Sequence, residues 1–173
     1  AKRRARGMDI LDNGAWHADP EDHTLDAGLL NALYALFVEC SVADFGCGHG
    51  FYVDALIERG ISTVGFDADQ ASPKQKADLS QPFVFPCDWV LSLEVGEHIP
   101  PECEQVFINN LCESARNGLV LSWAFPGQRG RGHVNERETK YIRREITQRG
   151  FVIDAGATMR LKLAADIWYF KRT

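Results

Sequence analysis

The sequence predicts an α/β fold on a parallel sheet. One sign is the run Val42 to Phe45, apolar and continuous enough to be buried on both faces, as strands under covering helices are. A second is the stretch directly after it: Gly46-Cys-Gly-His-Gly50, a turn spaced G-x-G-x-G, and then a helical segment from Phe51 that Gly60 ends. A third is that further strand-like runs alternate with helical periodicity to the C-terminus. Glycines in this spacing let the backbone turn sharply from strand to helix and leave the main chain open to a ligand. With Asp44 leading into the turn, the stretch reads as a nucleotide-cofactor pocket.

Taken in order, residues 1–18 form an irregular segment with a turn at Asp12-Asn13-Gly14 and a basic head, Lys2-Arg3-Arg4 and Arg6, expected to be disordered. Residues 19–173 are expected to form one domain. Asp19-Pro20-Glu21-Asp22 signals a helix start, and Leu25, Leu29, Leu30, Leu33, Leu36 and Phe37 recur at helical spacing up to Glu39. His23 falls near that start as a cap or surface residue. The helix after the glycine turn should bury Tyr52, Ala55, Leu56 and Ile57. Thr63 to Phe66 is a strand ending at Asp67, and Ala71 to Pro86 is polar with at most one short strand. Asp88 to Val95 is a strong strand. Pro100, Pro101, Glu102 and Glu104 suit the first turn of a helix that Val106, Phe107 and Leu111 continue. Gly118 to Ala124 is the next strand, and a glycine-rich loop runs from Phe125 to His133. Asn135 with Glu138 matches a capping box opening a helix with Ile142 and Ile146 inside. Phe151–Ile153 and Ile167–Phe170 supply two closing strands.

A chain of 173 residues can bury a sizeable core without staples, and 45% hydrophobic with 25% charged residues is ordinary for a globular protein. No apolar run reaches the length of a membrane span and no signal-peptide pattern opens the chain, so the expected compartment is the cytoplasm. Five cysteines form no C-x-x-C pair, which argues against a disulfide framework or a structural zinc site. Cys47 is expected to pack inside the turn rather than act as a nucleophile. A formal net charge of −5 argues against a protein that coats nucleic acid non-specifically. The basic residues between Arg129 and Arg149 read as the solvated face of a surface helix ahead of an anionic-substrate patch.

Asp44 with Gly46, Gly48 and Gly50 resembles the first motif of class I S-adenosylmethionine (SAM)-dependent methyltransferases, and Thr63-Val-Gly-Phe-Asp67 resembles their second strand with its terminal acid. Asp78-Leu79, Asp88 to Val95 and Gly118 to Trp123 fall where that family has its adenine-contacting acid and its fourth and fifth strands. The resemblance runs from Ser41 to Thr173. It implies a Rossmann-like, seven-stranded, mostly parallel sheet of order three-two-one-four-five-seven-six, the last strand antiparallel, with helices on both faces. It also implies SAM as cofactor, bound by Asp44, Gly46, Cys47, Gly48 and Gly50, by Asp67 and Ala68 at the ribose, by Asp78 and Leu79 at the adenine, and by Glu94. The N-terminal segment, with Trp16 and His17, would serve as a lid.

Glu94-Val-Gly-Glu97-His98 is E-x-x-E-H, and His133 lies in the next loop. This is similar to metal-dependent O-methyltransferases, including small-RNA 2′-O-methyltransferases and ubiquinone-pathway enzymes. The resemblance implies a divalent-cation site of Glu94, Glu97, His98 and His133, a mixed O/N set suited to Mg²⁺, Mn²⁺, Fe²⁺ or Zn²⁺. Without a metal, Glu97 would line the cofactor pocket, and His98 or His133 would act as acid or base. The expected activity is methyl transfer to an oxygen or nitrogen, with Glu97, His98 and His133 as catalytic candidates. A small-molecule acceptor is placed ahead of RNA, no membrane partner is expected, and the protein is expected to be a monomer or homodimer. Two alternatives stay open. An acid about 20 residues after a glycine turn also suits an NAD-dependent oxidoreductase, although the turn departs from G-x-G-x-x-G. A catalytically inactive methyltransferase-fold subunit that binds a partner or RNA is the other, against which intact Asp44, Asp67, Asp78, Glu97 and His98 weigh.

Overall fold

The computed structural model describes residues 10–15, 24–161 and 167–173. The basic head, Trp16, His17, the Asp19–Pro20 signal and His23 lie outside the described residues. The first described helix, α1 (Ala27–Phe37), starts instead at Asp26, whose Oδ1 accepts from Leu29 N at 2.7 Å. Leu25 therefore precedes the helix and is exposed. Next along the chain come β1 (Ser41–Phe45), α2 (Phe51–Glu58), β2 (Ser62–Asp67), β3 (Gln75–Lys76) and β4 (Cys87–Ser92). A 3₁₀ turn at Pro101–Cys103 leads into α3 (Glu104–Ser114), then β5 (Ala115–Ser122), α4 (Thr139–Thr147), β6 (Phe151–Ile153), α5 (Ala155–Leu161) and β7 (Ile167–Arg172).

The strands form one seven-stranded sheet of order β3-β2-β1-β4-β5-β7-β6, as the resemblance implies. Neighbours from β3 through β5 are parallel, and β7 runs antiparallel to both β5 and β6. Alternation along the strands feeds two cores. Ala43, Phe45, Leu119, Leu121 and Phe170 join Phe107, Ile108, Leu111, Ile142 and Ile146 of α3 and α4 on one face. On the other, Val42, Leu91 and Val120 join Leu29, Leu33, Phe37, Leu56 and Leu161 of α1, α2 and α5. No helix among the described residues is long and apolar enough to cross a membrane.

Several expectations change. In α2 the buried residues are Val53 and Leu56, while Ile57 is exposed, because the helix meets the sheet on the Val53 side of the expected stripe. β4 stops at Ser92 rather than Val95, and Glu94 takes a positive φ of 54° that no strand accommodates. Asn135 is not a helix cap. α4 is preceded by Glu138 with no side-chain cap, and Asn135 is buried with its Nδ2 donating to Gly96 O at 3.3 Å. Its side chain serves a tertiary contact, which local sequence cannot reveal. The short helix α5 carried too few residues to be recognised. The basic residues of the α4 region are largely ion-paired: Arg137 to Glu104, Lys140 to Glu138, Arg144 and Arg149 to Glu145.

Gly118 is where the sheet leaves no room for a side chain. A Cβ there would stand 2.1 Å from both Phe170 O and the Trp89 ring. Gly118→Ala should lower stability by roughly 1–3 kcal/mol, the scale of overpacking, measured by the denaturation midpoint. An unshifted midpoint would mean that β5 and β7 separate more easily than their pairing indicates.

Candidate active site

The glycine turn joins β1 to α2 with φ of +82° at Gly46, +54° at Gly48 and +78° at Gly50. A Cβ on Gly46 would meet Val95 at 2.4 Å, and one on Gly50 would meet the Lys74 chain at 2.0 Å. Both positions thus need glycine for conformation and for protein neighbours. Asp67, at the end of β2, holds the turn: Oδ2 accepts from Gly48 N at 2.7 Å and Oδ1 from Asp69 N at 2.8 Å. Each carboxylate oxygen has lone-pair capacity left for a ligand hydroxyl. Asp44 is buried at the cavity wall. Burial, and secondarily the negative charge of Asp67, push its pKa up to about 8. Burial and the same two carboxylates push the Cys47 thiol up as well, which suits a packing side chain rather than a nucleophile.

These elements bound a cavity of about 550 Å³ at the carboxyl ends of β1, β2 and β4. Asp44, Gly46, Cys47, Gly48, Asp67, Ala68, Leu79, Glu94 and His98 line it. Gly50 does not, lying under Lys74, and neither does Asp78, whose Oδ1 accepts from Ser80 N and Oγ in a local turn. The sequence reading missed Thr24, Asp26, Tyr52 and Ser122 on the cavity wall, which also carries Asn13, Gly14 and Ala15 of the N-terminal segment. The Asp12-Asn13-Gly14 turn was visible and its segment was expected over the cofactor, but the residue it rests on could not be read. Gly14 rests on the loop after β4 so closely that a Cβ would come within 1.9 Å of His98 O.

A second cluster adjoins the cavity. Glu97 is fully buried, and neither of its carboxylate oxygens has a hydrogen-bond partner. Burial, then the negative charge of Glu94, raise its pKa to about 8. His133 Nε2 lies 3.9 Å from Glu97 Oε1, the rings of His98 and His133 meet edge to face at 5.1 Å, and ligand atoms of all three residues fall within 4.8 Å of one another. His98 Nδ1 donates to Gly132 O at 3.1 Å, and His133 Nδ1 donates to Glu136 Oε1 at 3.1 Å. Burial lowers the His98 pKa, which favours the neutral ring. Glu94 is not among the three residues whose ligand atoms converge, although its carboxyl lies near enough to Glu97 to raise the latter's pKa. Its positive φ turns it to the exposed side, where its N–H donates to Ser122 Oγ at 2.8 Å and Oε2 accepts from Gln128 at 3.3 Å. A buried carboxylate without donors, faced by imidazole nitrogens, fits a divalent cation of mixed O/N preference, held by three protein ligands rather than the four expected.

No protein-family model matches the chain, and no curated protein matches it. Solved structures do. Magnesium protoporphyrin IX methyltransferase from Synechocystis PCC 6803, with bound SAH, aligns over 91% of each chain at 18% identity with a TM-score of 0.64. A TehB-like SAM-dependent methyltransferase from Corynebacterium glutamicum aligns over 88% of this chain and 91% of its own at 13% identity and a TM-score of 0.67. The methyltransferase domain of bacterial CtHen1 aligns over 84% and 97% at 16% identity and 0.60. The chain has the SAM-dependent methyltransferase fold. In this fold an antiparallel β7 sits between β5 and β6, unlike the parallel order of dinucleotide-binding sheets.

Asp44 makes folding pH-dependent. With a pKa of about 8 in the folded protein against an ordinary 3.8, its neutral form binds a proton that the unfolded chain has released. Stability therefore falls as pH rises between those two values. Asp44→Asn should gain melting temperature over the wild type progressively from pH 5 to pH 8, with the gap levelling above. A gap that does not change with pH would place an ionised Asp44 in the folded state.

Proposed function

We propose that the protein is a SAM-dependent methyltransferase acting on an oxygen or nitrogen of a small-molecule acceptor, assisted by a divalent cation at Glu97, His98 and His133. One observation carries this reading: His98 both lines the cofactor cavity and belongs to the cation cluster, so the two sites share a wall. When bound, SAM would supply a methyl group on a sulfonium. An acceptor oxygen or nitrogen would bond to the methyl carbon in line as the C–S bond breaks, the demethylated thioether leaving and the acceptor's proton passing to a base. Asp67 would accept from the ribose diol with the lone pairs left over from its contacts to Gly48 N and Asp69 N. Asp44 lines the cavity wall, where a cationic ligand would favour its ionised form. A cation held by Glu97, His98 and His133 would supply Lewis-acid activation of an acceptor hydroxyl. Glu97 would be its buried carboxylate ligand, and the imidazoles of His98 and His133 would complete the set. A second reading, with His98 as general base and no cation, is favoured by its neutral, Nδ1-protonated ring, which presents Nε2 as an acceptor. A small acceptor is favoured because no described insertion enlarges the loop 126–135 into a substrate domain.

Calorimetry should show micromolar binding of SAM and of its demethylated product, and none of NAD. Asp67→Ala should lose about 1.5–3 kcal/mol of that binding, the scale of hydrogen bonds to a charged group. An unchanged affinity in that variant would move the ribose contact elsewhere.

Turnover is best measured with labelled SAM against a metabolite extract. A chelator should abolish transfer and added Mn²⁺ or Mg²⁺ should restore it, while affinity for the demethylated cofactor stays the same. Full activity in chelated protein would leave the acid–base reading alone.

A further inference from the structure

His133 reaches the cluster from the loop at 125–134, whose first half is exposed. What aims it is the next acid along the chain. Glu136 Oε1 lies 3.1 Å from His133 Nδ1, and a carboxylate can only accept, so Nδ1 carries the ring proton and Nε2 is left as the acceptor. That Nε2 is the atom 3.9 Å from Glu97 Oε1. The same Glu136 carboxylate accepts from Gly127 N at 2.7 Å and from Arg129 N at 3.0 Å. These two residues take φ of +88° and +55°, the latter uncommon for a residue with a side chain. One side chain thus ties the turned backbone of the loop to the imidazole. Gly130 packs at the far end of the ring, where a Cβ would come within 2.1 Å of Nε2, so the ring has little room to swing.

We propose that Glu136 is the positioning residue of the cluster, holding His133 in the Nδ1-protonated tautomer with Nε2 turned toward Glu97. Its effect on metal affinity rests on the cation reading above, whereas the tautomer does not. Partners behind metal-binding histidines typically contribute 10–100-fold in metal affinity, so about that loss is expected on removing this one.

The test uses the full chain without cofactor. Imidazole ¹⁵N–¹H correlation spectra of the cation-free protein, with the His133 signals assigned by His133→Gln, should show the Nδ1-protonated form. Glu136→Ala should shift His133 toward the Nε2-protonated form and weaken Co²⁺ binding, read by its visible absorption, by about 10–100-fold. Affinity for demethylated SAM should not change. Glu136→Gln keeps one accepting oxygen for Nδ1 and should retain the tautomer and most of the Co²⁺ affinity. Should Glu136→Ala fail to fold, Glu136→Asp, whose carboxylate falls one methylene short of Nδ1, carries the same comparison. An unchanged His133 tautomer in Glu136→Ala overturns the proposal, even if Co²⁺ binding weakens, because the residue would then only brace the loop. A wild type that shows the Nδ1-protonated ring but takes up no Co²⁺ overturns the cation reading and upholds the positioning role.

Discussion

One backbone carbonyl decides where the chemistry can sit. Glu97 O accepts from both Val134 N and Asn135 N at 2.9 Å, so the loop after β5 hangs on the loop after β4. Asn135 tightens the joint through its Nδ2 on Gly96 O, and its own carbonyl accepts from Trp123 Nε1 at 2.7 Å. The Trp123 ring in turn covers Gly96, where a Cβ would come within 2.2 Å. The joint is held through these backbone groups, yet the Glu97 carboxylate and the Asn135 Oδ1 beside it have no hydrogen-bond partner among the described residues. Leaving such a group unpaired costs on the order of 1–3 kcal/mol, more when it is charged. The fold therefore carries a local penalty that a bound cation or a proton relieves.

The penalty is not isolated. Asp44 and Glu97 both have pKa values raised to about 8 by burial, and in each case a second acid adds to the rise, Asp67 for one and Glu94 for the other. The two sit at the ends of adjacent strands, because β1 and β4 are parallel neighbours with Asp44 opposite Leu91. Adjacent strands whose helices pack on opposite faces leave a crevice at their carboxyl ends, the usual ligand position in such sheets. Here the crevice collects acids from three strand ends. A ligand carrying positive charge relieves both buried carboxylates, and a sulfonium cofactor and a divalent cation each meet that requirement.

How much of this the sequence disclosed depends on the range of the interactions. The glycine turn and Asp67 were legible because a motif of a few residues fixes them, and the sheet order came with the same resemblance. Ile57 was misjudged because helical spacing defines a stripe but not the angle at which α2 meets the sheet. Asn135 was misjudged because its spacing to Glu138 imitates a capping box, while its partners, Gly96 and Trp123, are distant in sequence. The contact of Gly14 with the His98 carbonyl was hidden for the same reason, since a local turn does not tell which loop its segment will meet.

Glu94 and Glu97 show how strand termination divides two carboxylates that the motif presents as equals. Had β4 continued through Val95, alternation would have sent Glu94 to one face and left its role to the packing there. Instead β4 ends at Ser92, and the positive φ at Glu94 swings its side chain to the surface, within reach of Gln128. The same reversal brings Val95 over Gly46 and folds Glu97 underneath, away from water. One acid is thereby kept in solvent at the cavity mouth and the other is buried beneath the histidines. The exposed one still acts on the buried one through its charge, which keeps Glu97 harder to ionise until something positive arrives.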